Sequence, residues 1–168
     1  MKKVILTFVV LCAAIFANAQ TEKGKWVLGA EVPFGVSVGA PSAGIEFGDG
    51  YTQYAISLKA GTFIADDLLV HASLGFQGYK PKDVDATTAF NFGLGAKYYI
   101  MSKIPVGISY ELSKVKDVDL AHGMNLNAGY AFFIKECVSI EPGVYYTLPF
   151  ESGAKGAFGI KAGINFIF

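Results

Sequence analysis

The chain has 168 residues, with 14 basic and 14 acidic side chains, so it carries no net charge that would favour a nucleic-acid partner. Hydrophobic residues make up 52% and charged residues only 17%, an unusual balance for a soluble domain that must cover itself with charge. Beyond the N-terminal segment, no uninterrupted apolar run reaches the roughly 18 residues of a membrane-spanning helix, so the apolar content favours alternating strands.

The first 19 residues have the pattern of a cleaved secretory signal peptide. Two lysines precede an apolar run from Val4 to Phe16, and the sequence A-N-A before Gln20 is an A-x-A cleavage site. A retained anchor helix is the alternative, which the short apolar run and its small C-terminal residues disfavour. We therefore predict an exported domain of residues 20–168. Its only thiol is Cys137, which excludes a disulfide within the domain.

From Gln20 onwards, apolar and polar residues alternate at every second position in eight segments, which predicts eight strands. The fourth segment shows this well, because Phe92 and Leu94 alternate with Gly93 and Gly95. In chain order the predicted strands are Lys25–Val36, Gln53–Ile64, Leu68–Tyr79, Thr88–Met101, Val106–Ser113, Gly123–Ile134, Val138–Leu148 and Ala157–Phe168. Pro142, in the seventh strand, predicts a bulge or a local bend.

Long and short connections alternate between these strands. The long ones are predicted at Gly39–Thr52, Lys80–Asp85, Lys114–His122 and Pro149–Ala154. Since transmembrane barrels have short turns on one side of the membrane and longer loops on the other, we predict an all-β fold, an eight-stranded antiparallel up-and-down transmembrane β-barrel. A soluble ligand-binding barrel of the lipocalin type, with its apolar face inward, is the alternative. The unbroken apolar character of the face with larger residues favours lipid on the outside.

The polar face of the strands would line the barrel interior. Its ionisable members form the predicted interior ion-pair network: Glu31, Lys59, His71, Lys97, Glu111, Glu141 and Lys161. The interior of an eight-stranded barrel is only just wide enough for side chains to fill, so its carboxylates and ammonium groups must neutralise each other. Barrel closure places the last strand between the first and the seventh, which brings Lys161 within reach of Glu31 and Glu141. These features predict a filled interior that does not conduct freely.

Aromatic residues near the strand ends are typical of the girdles that transmembrane barrels place at the two membrane interfaces. The predicted girdle residues are Trp26, Tyr51, Tyr54, Tyr79, Tyr98, Tyr99 and Tyr146.

Three segments carry a resemblance to a known family: the turn Gly61–Val70, the strand ending Lys97-Tyr98-Tyr99, and the final G-I-N-F-I-F. With these, the chain resembles the small outer-membrane β-barrel family of Gram-negative envelopes, the "outer membrane protein beta-barrel domain" or porin family, akin to OmpX and the OmpA barrel. We predict a monomer in the cell outer membrane, in contact with lipid and lipopolysaccharide. The resemblance implies that Phe168 serves as the signal for the barrel-assembly machinery. The chain has no Arg, so an OmpA-type guanidinium gate is not expected.

Two of the predicted loops contain nearly the same sequence, K-P-K-D-V-D from Lys80 and K-V-K-D-V-D from Lys114. Their candidate surface residues are Lys82, Asp83, Asp85, Lys116, Asp117 and Asp119. The acidic pairs could hold Ca²⁺ or Mg²⁺, or the lysines could meet lipopolysaccharide phosphates. The simpler interpretation, which we favour, is that mixed charges solvate hairpin tips, because the ligand spacing and the glycine of an EF-hand are missing.

The sequence predicts no catalytic residue, no metal site and no cofactor. His71 and Ser73 share a face, and Glu111 or Glu141 could complete a hydrolase-like trio, but no G-x-S-x-G motif marks a nucleophile. The predicted function is that of a non-enzymatic outer-membrane barrel with a structural, adhesive or ligand-binding role in its outer loops. A narrow passive pore for ions or small solutes is the first alternative, and a lipid-modifying enzyme is the second.

Overall fold

The computed structural model describes residues 20–34, 46–48, 51–81, 87–115, 120–150 and 156–168. The predicted signal peptide lies outside them. The described strands are β1 Trp26–Phe34, β2 Glu46–Gly48, β3 Tyr51–Ala65, β4 Leu68–Pro81, β5 Thr87–Ile100, β6 Ile104–Val115, β7 Ala121–Gly129, β8 Phe132–Lys135, β9 Val138–Pro149 and β10 Ala157–Ile167. Among the described residues, no helix is long and apolar enough to cross a membrane.

These ten strands form the eight positions of a closed antiparallel barrel. β1 and β2 pair with the same strand, β3, and together occupy the first position. β7 and β8 both pair with β9 and together occupy the sixth. The sheet closes because β1 pairs with β10 on one side and with β3 on the other. The predicted fold class is therefore confirmed, although β2 lies inside a segment that was predicted to be entirely a loop.

The two faces of the barrel wall differ in polarity as the alternation predicts. Side chains of Phe92, Leu94 and Ile164 point outward and are 40%, 54% and 39% exposed, whereas Lys97 on the opposite face is only 2% exposed. Successive residues of a strand point to opposite faces, so this difference holds along each strand. The apolar side chains thus form a continuous outer belt, and the charged side chains lie inside.

Three short turns define one end of the barrel, which we call the turn end. They lie at Asp66–Asp67, Met101–Lys103 and Glu136–Cys137. Met101 and Ser102 both have positive φ angles, 52° and 58°, the pattern of a type I′ turn whose twist matches that of a hairpin. We call the opposite end, where the longer connections leave the strands, the loop end.

The sixth barrel position is interrupted, whereas the sequence predicts one strand from Gly123 to Ile134. Tyr130 donates its amide hydrogen to the Pro142 carbonyl at 3.0 Å, but Pro142 has no N–H with which to return the bond. The ladder therefore breaks at Tyr130 and Ala131. Ala131 still donates to the Lys103 carbonyl at 2.7 Å, so the segment stays in the wall. The register of β9 with β10 is unbroken at Pro142, so the predicted bulge does not occur in its own strand, and the interruption falls on the neighbouring strand instead.

The segment just before β1 crosses the turn end. The Asp67 amide donates to the Thr21 carbonyl at 2.8 Å, and the Gly24 amide donates to the Phe63 carbonyl at the same distance. The Thr21 hydroxyl also donates to the Asp67 carboxylate. These bonds attach the N-terminal segment to the first turn.

Candidate functional site: the barrel interior

An apolar plug fills the interior at the turn end. Its members are Val27, Phe63, Leu69, Tyr99, Ala131 and Ile167. All are at most 4% exposed, and the rings of Phe63 and Tyr99 pack with centroids 5.6 Å apart. Sequence reasoning assigned the inward face to polar groups and missed this plug. The signal was available in the alternation, because these residues share the parity of the inward-facing polar residues on their own strands.

Glu31 is the centre of an ion-pair network directly beside the plug. Its carboxylate accepts hydrogen bonds from the ammonium groups of three lysines, Lys59 at 2.8 Å, Lys97 at 3.0 Å and Lys161 at 2.9 Å. Each of the lysines stands on a different strand. One carboxylate therefore joins β1 to β3, β5 and β10 across the interior.

Glu141 forms the second centre. Its carboxylate accepts from Lys97 at 3.2 Å and from the Tyr99 hydroxyl at 2.8 Å. Ser139 donates to the same carboxylate at 3.4 Å, and Asn165 donates to Ser139 at 3.2 Å. Lys97 thus bridges the two carboxylates, and Tyr99 connects the network to the apolar plug. We use the name ion-pair network for Glu31, Lys59, Lys97, Glu141 and Lys161.

Strand register explains why these charges meet. Glu31, Gly163 and Glu141 lie side by side on β1, β10 and β9, so a glycine separates the two carboxylates in one row. A Cβ at Gly163 would lie 3.1 Å from Glu31 Cγ. A Cβ at Gly107 would lie 2.7 Å from Lys97 Cγ. The missing side chains leave the space in which the glutamate and the lysine cross the interior.

Two of the seven predicted network residues are not joined to it. Glu111 accepts a hydrogen bond from Ser109 at 3.1 Å and makes no ion pair with a described residue. His71 is 7% exposed, and its Nδ1 has no hydrogen-bond partner among the described residues. Lys161 contacts Glu31 and makes no ion pair with Glu141. Both separated residues lie on the inward face. Glu111 is in the register row of Lys59, through Ser73 and Gly93, and His71 lies in the next row towards the turn end, opposite Gly61.

Tyr99 was wrongly predicted to belong to an aromatic girdle. It is 1% exposed and points inward, whereas its neighbour Tyr98 is 51% exposed on the outer face. Trp26 and Tyr146 also point outward and are 59% and 40% exposed, as girdle residues should be. The side chains of the remaining candidates, Tyr51, Tyr54 and Tyr79, fall outside what the structure describes. Alternation with Lys97 could have identified Tyr99 as an interior residue.

The loop-surface candidates Lys82, Asp83, Asp85, Lys116, Asp117 and Asp119 lie outside the described residues. Phe168, the predicted assembly signal, exchanges backbone hydrogen bonds with Trp26 at 2.6 and 2.9 Å, which ties the end of the chain to β1. Within the described part of the chain, no three His, Cys, Asp or Glu side chains are grouped to hold a metal ion. The hydrolase-like trio is likewise not assembled there, because Glu111 accepts from Ser109 and Glu141 from Tyr99, and neither orients His71.

Comparison with known proteins gives matches of fold only. No family model and no curated protein sequence matches the chain. OprG of Pseudomonas aeruginosa is similar with a TM-score of 0.55 and 16% identity, over 90% of this chain and 99% of that one. Neisserial surface protein A gives 0.53 and 15%, over 87% and 98%. Ail of Yersinia pestis, in a phospholipid bilayer nanodisc, gives 0.53 and 14%, over 86% and 100%.

The chain has the eight-stranded fold of small outer-membrane β-barrels. The whole barrel is shared with the solved structures, and the outward apolar belt gives it a surface suited to hydrocarbon. The fold and the outer belt support the predicted outer-membrane localisation. One fold serves many activities, so the role of this barrel has to be argued from its own interior and surface.

Proposed function

We propose that this protein is a non-enzymatic, non-conducting barrel whose interior is sealed near the turn end and whose outer loops carry a structural, adhesive or ligand-binding role. The observation that carries the proposal is the double closure of the interior. The apolar plug fills the cross-section, and the ion-pair network spans it from β1 to β3, β5, β9 and β10.

The closure is strong for a physical reason. Charges inside a membrane barrel are costly unless each has partners, and here Glu31 has three ammonium partners and Glu141 has an ammonium and a phenol. A solute passing through would have to separate these pairs and displace Phe63 and Leu69 in the plug. Water or an ion could replace only part of the lost contacts. Because a sealed interior does not let solutes through, it supports a role for the barrel at its surface.

Planar-bilayer recording of the purified, refolded protein tests the seal. The wild type is expected to give no steady single-channel conductance. A variant that opens both closures, Phe63→Ala and Tyr99→Ala combined with Glu31→Gln, removes two plug rings and the centre of the ion-pair network and is expected to conduct. Phe92→Ala, which removes a ring from the outer face, is the control and should stay closed. Steady, large conductance from the wild type would refute the closed interior and favour the passive pore.

The loop role rests on the repeated Lys and Asp pattern of the sequence, since those residues lie outside the described part. We infer lipopolysaccharide phosphates and the barrel-assembly machinery as partners on the grounds of fold. Binding of the protein to vesicles with and without lipopolysaccharide, compared between the wild type and a Lys82→Ala, Lys116→Ala variant, measures the contribution of the loop lysines. Equal binding by the two proteins would remove those lysines from the proposal.

The non-enzymatic part rests on the interior chemistry. A histidine acting as general base needs a partner that orients it, and His71 Nδ1 has none among the described residues. Ser73 and Glu111 lie in the register row next to that of His71, but within the described part of the chain no hydrogen bond joins either of them to its Nδ1. Lipid A extracted from deletion and wild-type cells should be identical. A modification that disappears on deletion and returns with the wild-type gene would overturn this part of the proposal.

A further inference from the structure

We propose that Lys114 and His122 hold a phosphate group of lipopolysaccharide on the outer face of the barrel, at the loop end of the apolar belt. Lys114 shares the parity of Tyr110 on β6 and lies opposite Phe90 on β5, and both of these rings are exposed. Since alternate residues of a strand share a face, Lys114 points outward. The inference rests on the lipopolysaccharide partner proposed above and gives it a site on the barrel wall, apart from the loop lysines.

The position of this lysine on an otherwise apolar face points to the membrane interface. The other charged side chains that are described within the strands lie inside the barrel or, for Lys135, at the turn end. A lysine that faces lipid is costly at the centre of the membrane and costs little near the headgroups. β6 ends at Val115, one residue beyond Lys114, so the ammonium group lies at the edge of the belt, where headgroups begin.

His122 places a second nitrogen donor at the same level of the wall. It is the second residue of β7, is exposed, and lies opposite Leu112, which makes Lys114 its diagonal neighbour on β6. Diagonal neighbours on one face of a sheet are about 7 to 8 Å apart, within reach of a long side chain. A phosphate between them can accept hydrogen bonds from the ammonium group and from an imidazole N–H.

Two aromatic rings orient the imidazole. The ring of Phe150 meets it edge-on, with centroids 5.5 Å apart, and the ring of Tyr110 lies 6.1 Å away. The Phe150 amide also donates to the His122 carbonyl at 3.0 Å, which fixes the backbone beside the ring. These contacts restrict the imidazole before a ligand arrives, so binding costs less side-chain entropy. The site is therefore a built arrangement on three strand ends, and its lysine is one part of it.

Charge complementarity selects the ligand. Among the described side chains, no carboxylate shares the outward face at this end of the barrel. A phosphate monoester carries nearly two negative charges and three acceptor oxygens, which suits an ammonium and an imidazole donor better than the single charge of a phosphate diester. The loops are predicted to lie outside, so this edge of the belt meets the outer leaflet. The phosphates of lipid A, which are monoesters, are the matching group in that leaflet.

Binding of lipid A to the refolded barrel in uncharged detergent micelles tests the site, with native mass spectrometry as the readout. The wild type should bind lipid A that carries its phosphates roughly ten-fold more tightly than dephosphorylated lipid A, and more tightly than phosphatidylglycerol. Lys114→Ala combined with His122→Ala should remove most of this preference. Lys114→Arg should retain it, because a guanidinium group also binds phosphate. Heat-modifiable electrophoresis establishes that each variant is folded before binding is measured.

Lys135→Ala, which removes an exposed lysine at the turn end, is the matched control and should keep the wild-type affinity. An equal loss in that control, or an unchanged affinity in the Lys114 and His122 double variant, would overturn the wall site. The lipopolysaccharide partner would still stand if the Lys82→Ala, Lys116→Ala variant lost affinity. Equal binding of both forms of lipid A by the wild type would overturn the partner and the site together. Equal affinity for phosphatidylglycerol would overturn the assignment to lipopolysaccharide.

Discussion

The two halves of the interior use the same wall but differ in how completely they are filled. Near the turn end, plug and network side chains are almost entirely buried, with Leu69 and Ser139 at 0% exposure. Towards the loop end, interior side chains such as Gln77, Asn91 and Thr147 are only half-buried. Ion pairs are confined to the first half among the described residues. The interior is therefore closed at the turn end, and we expect the barrel to be most rigid there.

The difference between the two halves shows when a charged residue inside a barrel joins several strands. Glu31 stands beside Gly163, which lets it reach towards lysines from three strands. Glu111 also stands beside glycines, but no lysine lies within ion-pair distance of it among the described residues. Glycines leave space beside both glutamates, but among the described residues only Glu31 has lysines within ion-pair distance. Three substitutions measure the contrast, each with a counterpart elsewhere in the barrel.

Glu31→Gln should have the largest effect. It leaves three lysines with one fewer carboxylate, and breaking a buried ion pair from one side costs about 3 to 5 kcal/mol. The same change at Glu111 should alter the free energy of unfolding by only about 1 kcal/mol, because the amide oxygen of a glutamine can still accept the Ser109 hydrogen bond and no ion pair between described residues is broken. Urea unfolding followed by heat-modifiable electrophoresis measures both. Equal losses would contradict the contrast between the halves.

Leu69→Ala should come second, with a loss of about 2 to 5 kcal/mol, because it opens a cavity in the apolar plug. Leu74→Ala, at a position 64% exposed on the outer face of the same strand, is the matched control. Its loss should be smaller, since lipid or detergent chains fill the space that the side chain leaves. The comparison uses the same unfolding measurement. A larger loss at Leu74 would mean that the plug is not tightly packed.

Tyr99→Phe should have the smallest effect of the three. It removes only the hydroxyl that donates to Glu141 at 2.8 Å, and a hydrogen bond to a charged group is worth about 1.5 to 3 kcal/mol. Tyr98→Phe removes the same atom from the adjacent residue on the outer face and should change stability by no more than about 0.5 kcal/mol. If the two variants are equally stable, Tyr99 does not connect the network to the plug.

Much of the interior could have been predicted by applying alternation to every residue. The pattern identified Glu31, Lys59, Lys97, Glu141 and Lys161 as inward-facing because polar residues stand out against an apolar outer face. The same parity applied to Phe63 and Leu69 would have placed them inside. They were missed because an apolar residue on the inward face does not stand out in the sequence from the apolar residues of the outward face. The loop residues remain predictions, since they lie outside the described part of the chain.

The sequence by itself determined the eight positions of the barrel wall, which residues of a strand share a face and that the short turns lie on one side. Each of these follows from local alternation and from connection length, which neighbouring residues along the chain decide. The tertiary structure alone decided which charges meet, because Glu31 and Lys161 are brought together only when β1 pairs with β10 and the barrel closes. It also decided where the sixth strand breaks, since the missing N–H belongs to a proline on another strand.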